Sequence, residues 1–352
     1  MRVEPFGESS SLGPVQLLTI GAEPGPVLEV LDLGATVHRL WVTCGDGVRR
    51  NVVLGHPDPE DHLTSPAYLG GTIGRYGNRI AGGRFELDGR VVELETNDRG
   101  NTLHGGPEGF DKRMWDVVDH GDDHLVTRLV SPDGDQGFPG RLVAQVRFEI
   151  SGERVLVLFR AASDAPTVVC LTSHAYFNLD DAETIEEHLL RVDAEEFLPV
   201  DDTGIPLAER ARVAGTAFDL RRPTQLGERI REPHPQMAAA QGMDHCFVLD
   251  GVGRRRVATL DSRVSRTRLE VSTDQPGLQV YTGSQLDGTL PSANGGVHQQ
   301  LAGIALEPEL FPDTPNSPAA GTAVLRPGET YEAALEWRFS ALGEDGLAPG
   351  EE

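Results

Sequence analysis

The chain has few of the residues on which several common classes of protein depend. Among its 352 residues there are three cysteines, far apart and odd in number, and the only lysine is Lys112. Because no C-x-x-C pair occurs, the sequence indicates neither a zinc site nor a disulfide framework. The lack of lysine also leaves Lys112 as the one residue that could serve in Schiff-base or phosphate-loop chemistry.

Long apolar runs and clustered cations are lacking as well. Residues 1–5 contain no apolar signal core, and the longest apolar run, 155–159, is far too short to span a bilayer. The 31 basic residues face 55 acidic ones, which gives a formal net charge of −24. Nucleic acids and anionic membranes attract basic surfaces, so we expect neither as a partner. The sequence predicts a soluble, cytoplasmic protein, and its oligomeric state is left open.

The sequence motifs of several large enzyme classes are absent too. There is no G-x-S-x-G, H-E-x-x-H, G-x-x-x-x-G-K or G-x-G-x-x-G, which removes the signatures of serine hydrolases, zinc proteases, P-loop enzymes and dinucleotide-binding folds. His120 and His124 lie four residues apart, but the polar turn around them favours a solvated loop over a metal site. We expect no metal and no cofactor.

Short segments with alternating apolar and polar residues make up most of the chain. Residues 141–150 and 331–339 show this alternation, which a strand with one buried face requires. Asp88-Gly89 stands between two such runs and predicts a hairpin. Residues 155–159 are apolar throughout and predict a strand that is covered on both faces.

Helical periodicity is scarce, and only residues 224–240 are expected to hold one or two short helices, interrupted by prolines. Glycine and proline, 41 and 24 in number, divide the chain into short segments, and no linker separates two halves. The sequence therefore predicts an all-β fold, a single antiparallel β-sandwich domain over residues 1–340. Residues 341–352 are expected to be a frayed tail.

Four segments combine histidines, carboxylates and aromatic residues near glycines or strand ends. They are residues 101–106 with His104, 172–178 with His174 and Tyr176, 242–245 with Asp244, and 303–309 with Glu307. Each alone could be a hydrogen-bonded core histidine or a carboxylate at a strand end. Together they suit a sugar site, because aromatic faces pack against the C–H surfaces of a pyranose while charged acceptors bind its hydroxyl groups.

Further motifs follow one another in order along nearly the whole chain. They are Gly77-Asn78-Arg79-Ile80, Asn101-Thr102-Leu103-His104-Gly105-Gly106, Gly109-Phe110-Asp111-Lys112, His174-Ala175-Tyr176-Phe177-Asn178-Leu179, Asp244-His245, Gly277-Leu278-Gln279-Val280-Tyr281-Thr282-Gly283 and Phe311-Pro312-Asp313. In this set the chain resembles the aldose 1-epimerase (galactose mutarotase) family. The resemblance implies a β-supersandwich, an open sugar cleft without metal, and a hexose substrate.

The resemblance also implies a role for individual residues. His174 matches the family's acid, Glu307 its base, and His104 its second active-site histidine. The positions that match sugar-binding residues are Asn78, Arg79, Tyr176, Asp244 and Gln279. His174 has to start protonated, and we expect a nearby carboxylate, Asp244, to raise its pKa.

The chain departs from the family pattern at two places. Ala175 stands where serine is common, and the usual E-T-Q reads Glu307-Pro308-Glu309. Glu309 is expected to point to the opposite face of the strand from Glu307. This added carboxylate leaves the range of sugars open.

Alternatives to an epimerase of free hexoses also follow from these residues. A hexose-6-phosphate 1-epimerase would need an arginine cluster near C6 of the sugar. A sugar-binding or sensory module would not need an acid and a base together. A glycosidase with Glu307 and Asp244 as paired carboxylates would leave both histidines unexplained.

Overall fold

The computed structural model of the protein describes residues 1–317 and 321–343, most of which lie in β-strands or in the turns between them. The strands, labelled β1 to β28 in chain order, are Arg2–Ser9, Gly13–Gly21, Val27–Leu31, Thr36–Thr43, Arg49–Asn51, Thr72–Ile73, Arg79–Ile80, Arg84–Leu87, Arg90–Glu93, Thr102–Leu103, Asp116–His120, His124–Ser131, Leu142–Ser151, Arg154–Ser163, Thr167–Val168, Thr172–Ser173, Tyr176–Phe177, Leu189–Val192, Ala194–Phe197, Ala211–Arg212, Thr224–Gln225, Asp244–Leu249, Arg255–Ser262, Thr267–Thr273, Gly277–Tyr281, Ile304–Glu309, Val324–Leu325 and Tyr331–Ala341. The α-helices of this part, α1 to α3, are Pro59–Thr64, Leu226–Ile230 and Pro235–Ala240. Short 3-10 turns occur at Ala81–Gly83, Phe110–Lys112, Asp135–Gly137 and Thr314–Asn316.

Three antiparallel sheets carry most of these strands. A five-stranded sheet has the order β1-β2-β3-β4-β5, and a nine-stranded sheet has the order β11-β12-β13-β14-β28-β24-β23-β18-β21. The third sheet is six-stranded, with the order β17-β26-β25-β22-β19-β20. The remaining strands form two-stranded pairs, among them β10 with β7 and β16 with β6.

The main core is formed by apolar side chains from all three large sheets, including Leu28 of β3, Val157 of β14 and Leu306 of β26. The Phe177 ring in the six-stranded sheet meets the Trp337 ring in the nine-stranded sheet edge to face, with centroids 5.3 Å apart. Sheets that bury one face against each other in this way form a β-sandwich. The predicted all-β sandwich with few short helices is confirmed.

The alternating segments became the strands that their pattern predicts. Residues 142–149 of β13 alternate strictly between buried and half-buried, and β8 and β9 form the hairpin around Asp88-Gly89. The prediction for residues 155–159 is wrong, because Leu156 and Leu158 of β14 are only half-buried on the outer face of the nine-stranded sheet. An apolar run does not by itself show that both faces of a strand are covered.

The helices and the carboxyl-terminal strand can also be compared with what the sequence predicts. The sequence predicts one or two short helices within 224–240, and two are present. Pro235 begins the second of them, where proline's missing N–H costs no hydrogen bond. The last strand runs to Ala341, and Leu342 is buried. Residues 344–352 of the predicted tail lie outside the described residues, so the domain limits of 1–340 and 341–352 stay a prediction.

Candidate active site

One face of the six-stranded sheet forms the floor of the site. In its register Gln279 of β25 lies opposite Glu307 of β26, and Asp244 of β22 lies opposite Tyr281 of β25. Directly opposed residues of an antiparallel pair share a face, as do residues two apart in one strand. These side chains, together with Tyr176 of β17, therefore point to the same side.

The alternate residues of the same strands point the other way. Leu278 and Val280 of β25, Leu306 of β26 and Phe247 of β22 all belong to the main core. The period of two thus divides each strand into an apolar set that stabilises the sandwich and a polar set that faces the site. This division explains how carboxylates can stand on a strand that is buried along its whole length.

Two short paired strands bring residues from the first third of the chain over this floor. Asn78 precedes β7, His104 follows β10, and β7 pairs with β10. The backbone N–H of Asn78 donates to Nδ1 of His104 over 3.2 Å. Nδ1 is thereby an acceptor, so the ring proton of the neutral His104 lies on Nε2.

The glycine that follows His104 is required by the packing of the backbone. Gly105 has a φ of +88°, and a Cβ built on it would lie 1.9 Å from the carbonyl oxygen of Gly74. The backbone at Gly74 therefore approaches this motif so closely that only glycine fits at position 105. The contact holds the loop that carries His104 against the segment that leads to Asn78.

All of the candidate catalytic and sugar-binding residues line one pocket with a cavity volume of about 100 Å³. They are His174, Glu307, His104, Asn78, Arg79, Tyr176, Asp244 and Gln279. The pocket is also lined by residues that sequence reasoning did not assign to a site, namely Pro66, Ala67, Tyr68, Leu103, Tyr281, Gln285, Leu286 and Leu290.

An imidazole and a carboxyl group face each other at the base of the pocket. Nε2 of His174 lies 3.5 Å from Oε1 of Glu307, and both residues are less than 5% exposed, at 4% and 2%. Burial lowers the pKa of His174 to about 4, although the charge of Asp244 acts in the opposite direction. Asp244 raises the pKa of His174 as expected, but desolvation of the imidazolium has the larger effect, so the net shift is downwards.

Burial acts on Glu307 in the opposite sense. It raises the pKa of Glu307 well above the usual value, and the charges of Glu309 and Asp244 raise it further. Both groups are thus driven towards their neutral forms. In the empty pocket, burial favours a protonated Glu307 carboxyl group beside a neutral His174 imidazole.

Glu309 lies on the same side of β26 as Glu307, so the prediction that it points to the opposite face is wrong. Its Oε1 accepts a hydrogen bond of 2.9 Å from Nδ2 of Asn78, a residue that lines the pocket. The physical reason is the strand period of two, which places residues two apart on one face. Burial raises the pKa of the fully buried Glu309 as well.

A polar network lies beside the acid–base pair. Nε2 of Gln279 donates to Oδ1 of Asp244 over 2.6 Å, and the other carboxylate oxygen of Asp244 lies 3.9 Å from the Arg79 guanidinium. Nε of Arg79 also donates to Asp98 over 2.7 Å. Such a network of fixed donors and acceptors suits a ligand that carries several hydroxyl groups.

Two tyrosines stand beside the acid–base pair. The ring of Tyr68 lies 4.7 Å from the ring of His104 and 5.8 Å from that of His174, centroid to centroid. Tyr281 lies 6.5 Å from His174 on another side. Tyr281 lies within a motif quoted from the sequence, whereas no signal in the sequence pointed to Tyr68.

His104, His174 and Glu307 form the one group in the described part of the chain whose ligand atoms come within 4.8 Å of one another, close enough to share an ion. An ion bound there would have to displace the proton from Nε2 of His104. It would also separate His174 from Glu307. The donor set therefore suits proton transfer better than a resident metal.

Comparisons with known proteins agree with this geometry. The family model described as aldose 1-epimerase matches residues 16–338. The aldose 1-epimerase of Escherichia coli K12 is 40% identical over 334 residues, which is 93% of this chain and 96% of the relative. Human galactose mutarotase is 40% identical over 318 residues, 89% of this chain and 91% of the relative.

Solved structures show the same likeness. A crystal structure of a galactose 1-epimerase from Lactobacillus acidophilus superposes with a TM-score of 0.86 at 31% identity, covering 97% of this chain and 99% of that one. An aldose epimerase homologue from C. elegans reaches a TM-score of 0.87 at 28% identity, covering 93% and 99%. The chain therefore belongs to the aldose 1-epimerase family and is an isomerase.

Proposed function

We propose that the substrates are free aldohexoses such as glucose and galactose, and that Glu307 and His174 carry out the two proton transfers of anomer interconversion. The observation that carries this proposal is the pair itself, an imidazole and a carboxyl group 3.5 Å apart in a buried pocket. The relatives named aldose 1-epimerase and galactose mutarotase support the sugar class.

The reaction needs one proton removed and one supplied. As base, Glu307 takes the proton of the C1 hydroxyl, and as acid, His174 gives a proton to the ring oxygen. The C1–O5 bond breaks, C1 becomes an aldehyde, rotation about C1–C2 presents its other face, and the reverse transfers close the ring. Neither redox chemistry nor hydrolysis is involved. Each positioned acid or base contributes roughly 10²–10⁴-fold to such a step.

Substrate binding can prepare the pair for this task. Moving the proton from Glu307 to His174 leaves the net charge of the pair unchanged, although it creates an ion pair that burial disfavours. A bound sugar offers its C1 hydroxyl as a donor to the carboxylate and its ring oxygen as an acceptor for the imidazolium. These hydrogen bonds stabilise the charged forms where they are needed.

The other pocket residues hold the sugar. Arg79, Asp244 and Gln279 offer fixed donors and acceptors to hydroxyl groups, as do the Asn78 amide and the Nε2–H of His104. Tyr176 lies with its ring 4.9 Å from that of His174 and supports the acid from the side. Tyr68 and Tyr281 supply apolar ring surface for the C–H faces of the pyranose.

A phosphorylated sugar fits this pocket less well than a free one. Of the described residues that line the pocket, Arg79 is the one with a permanent positive charge, and Asp98 and Asp244 already face it. The carboxylate of Asp244 also repels an anionic ligand. A purely sugar-binding module would not require the buried His174–Glu307 pair.

For the surroundings of the enzyme, we propose the cytoplasm. All three cysteines are free and buried, which fits a reducing compartment. None of the helices in the described ranges is long and apolar enough to cross a membrane.

Polarimetry of freshly dissolved α-D-glucose and α-D-galactose tests the proposal. The protein should speed the approach to the equilibrium rotation in proportion to its concentration, and faster than it does for the corresponding 6-phosphates. A preference for the phosphates would favour the phosphate branch. Binding of the free sugars without any acceleration would show a sugar-binding module.

A further inference from the structure

We infer that Glu309 is a positioning residue of the active site, which holds the Asn78 amide and through it the ring of His104. This inference rests on the proposed function, since it concerns the same pocket. Glu309 does not line the pocket itself, so it acts on a substrate only through other residues.

Among the described residues, the side chain of Glu309 has one hydrogen-bond partner, Asn78. It is fully buried at 0% exposure, its Oε1 accepts from Nδ2 of Asn78 over 2.9 Å, and its Oε2 has no hydrogen-bond partner. A buried carboxyl group with an unpaired oxygen lowers stability rather than raising it. Burial of this group is therefore not explained by the stability of the fold.

Asn78 in turn forms hydrogen bonds with two pocket residues, Arg79 and His104. Its Oδ1 accepts from the backbone N–H of Arg79 over 2.9 Å, and its own backbone N–H donates to Nδ1 of His104 over 3.2 Å. Asn78 and His104 both adopt positive φ angles, of 64° and 53°. Residues other than glycine seldom take such angles without a specific contact that holds them there. The hydrogen bond from Asn78 to Glu309 supplies such a contact.

The position of Glu309 on the sheet makes this link possible. Glu309 lies opposite Gly277 in the neighbouring strand, beside which the side chains of Cys246 and Phe311 pack. A Cβ on Gly77 would lie 3.2 Å from Oε2 of Glu309, so the turn that carries Asn78 packs directly on the carboxyl group. A larger residue at Gly77 would press on this carboxyl group and disturb its contact with Asn78.

A matched pair of substitutions separates positioning from simple packing. Glu309→Gln keeps the length of the side chain and an oxygen that accepts from Asn78, whereas Glu309→Met keeps the length and loses the acceptor. We expect Glu309→Gln to retain kcat/KM within about threefold and Glu309→Met to lose about tenfold or more. Met removes the unpaired Oε2 but also leaves Nδ2 of Asn78 without its acceptor, so the two effects on Tm should largely offset each other.

Glu309→Met in an Asn78→Ala background tests whether Glu309 acts through Asn78. If Glu309 acts through Asn78, Glu309→Met should lower kcat/KM by less than about twofold there, as residues in one network are not additive. An equal loss in both backgrounds overturns the inference, as does a loss in Glu309→Gln that matches the loss in Glu309→Met. A loss of activity that merely follows a fall in Tm overturns it too.

A measurement without turnover keeps this result separate from the proposed function. The ring nitrogens of His104 report their hydrogen bonds in ¹⁵N NMR spectra, and they should shift in Glu309→Met but not in Glu309→Gln. An unchanged His104 signal in Glu309→Met overturns the inference even if every variant is active. If the wild-type protein fails to accelerate mutarotation while these shifts occur, the proposed function fails and the positioning role stands.

Discussion

Replacing the proposed base by its amide separates catalysis from binding. Glu307→Gln is nearly isosteric, and its amide can still hydrogen-bond to the C1 hydroxyl group, but it cannot take the proton. Burial and two neighbouring carboxyl groups raise the pKa of Glu307, which favours its neutral form when no sugar is bound. The amide therefore resembles the resting form of the site.

This resemblance determines the expected magnitudes. The affinity for galactose should change by about tenfold or less, roughly 1.4 kcal/mol, because the shape and neutrality of the resting pocket are kept. Turnover should fall by roughly two to four orders of magnitude, or about 3–5 kcal/mol in the barrier. Thermal stability should not fall, because no buried charge loses its partner.

The assay combines polarimetry of α-D-galactose with calorimetric titration and thermal unfolding of the same preparations. Glu93→Gln on the exposed strand β9 makes the same chemical change far from the pocket and should leave all three measurements unchanged. Retention of more than about a tenth of the wild-type kcat in Glu307→Gln would refute the assignment of Glu307 as the base.

Three further predictions concern the acid, metals and pH. His174→Asn should lower kcat by roughly two to four orders of magnitude, while His120→Asn on the exposed β11 should not; similar losses in both would mean that the site is misplaced. Activity should survive exhaustive dialysis against EDTA, and a loss on dialysis that zinc restores would contradict this. Added Zn²⁺ should inhibit by competing with the sugar for the group formed by His104, His174 and Glu307. Burial lowers the pKa of His38 to about 3, so the folded state favours its neutral form, and the stability this group provides above pH 6.5 is lost as the pH falls towards 3. Urea unfolding should therefore show a smaller loss of stability between pH 7 and 4.5 for His38→Leu than for the wild type, and equal losses would refute this cause.

His38 is part of a cluster of buried histidines, with His56 and His62, that sequence reasoning did not single out. His38 and His62 have ring centroids 5.9 Å apart, and His56 lies 5.0 Å from His62. Neither ring nitrogen of His38 has a hydrogen-bond partner. Among the neighbouring charged groups, Arg39 lowers the pKa of His38 and Asp61 raises that of His56. These residues come from separate segments, so their spacing in the sequence gives no sign of the cluster.

The sequence by itself determined the fold class and the members of the site. Alternation of apolar and polar residues is a local property of the chain, so β13 and the last strand could be recognised without any knowledge of their neighbours. The motifs around His104, His174, Asp244 and Glu307 identified the family and named pocket residues correctly. The side of β26 on which Glu309 lies also follows from local alternation, and the prediction for it failed because the strand period was misapplied.

Tertiary structure alone decided the properties that depend on distant neighbours. Asn78 reaches Glu309 across 231 positions of the chain, and Tyr68 meets His104 and His174 only because loops from separate segments pack together. The half-exposure of Leu156 depends in the same way on what covers the nine-stranded sheet. The protonation of His174 was decided at this level too, since burial by the whole fold outweighs the one carboxylate that its sequence motifs suggested. A pKa responds to all surrounding atoms, and the chain brings these together only when it folds.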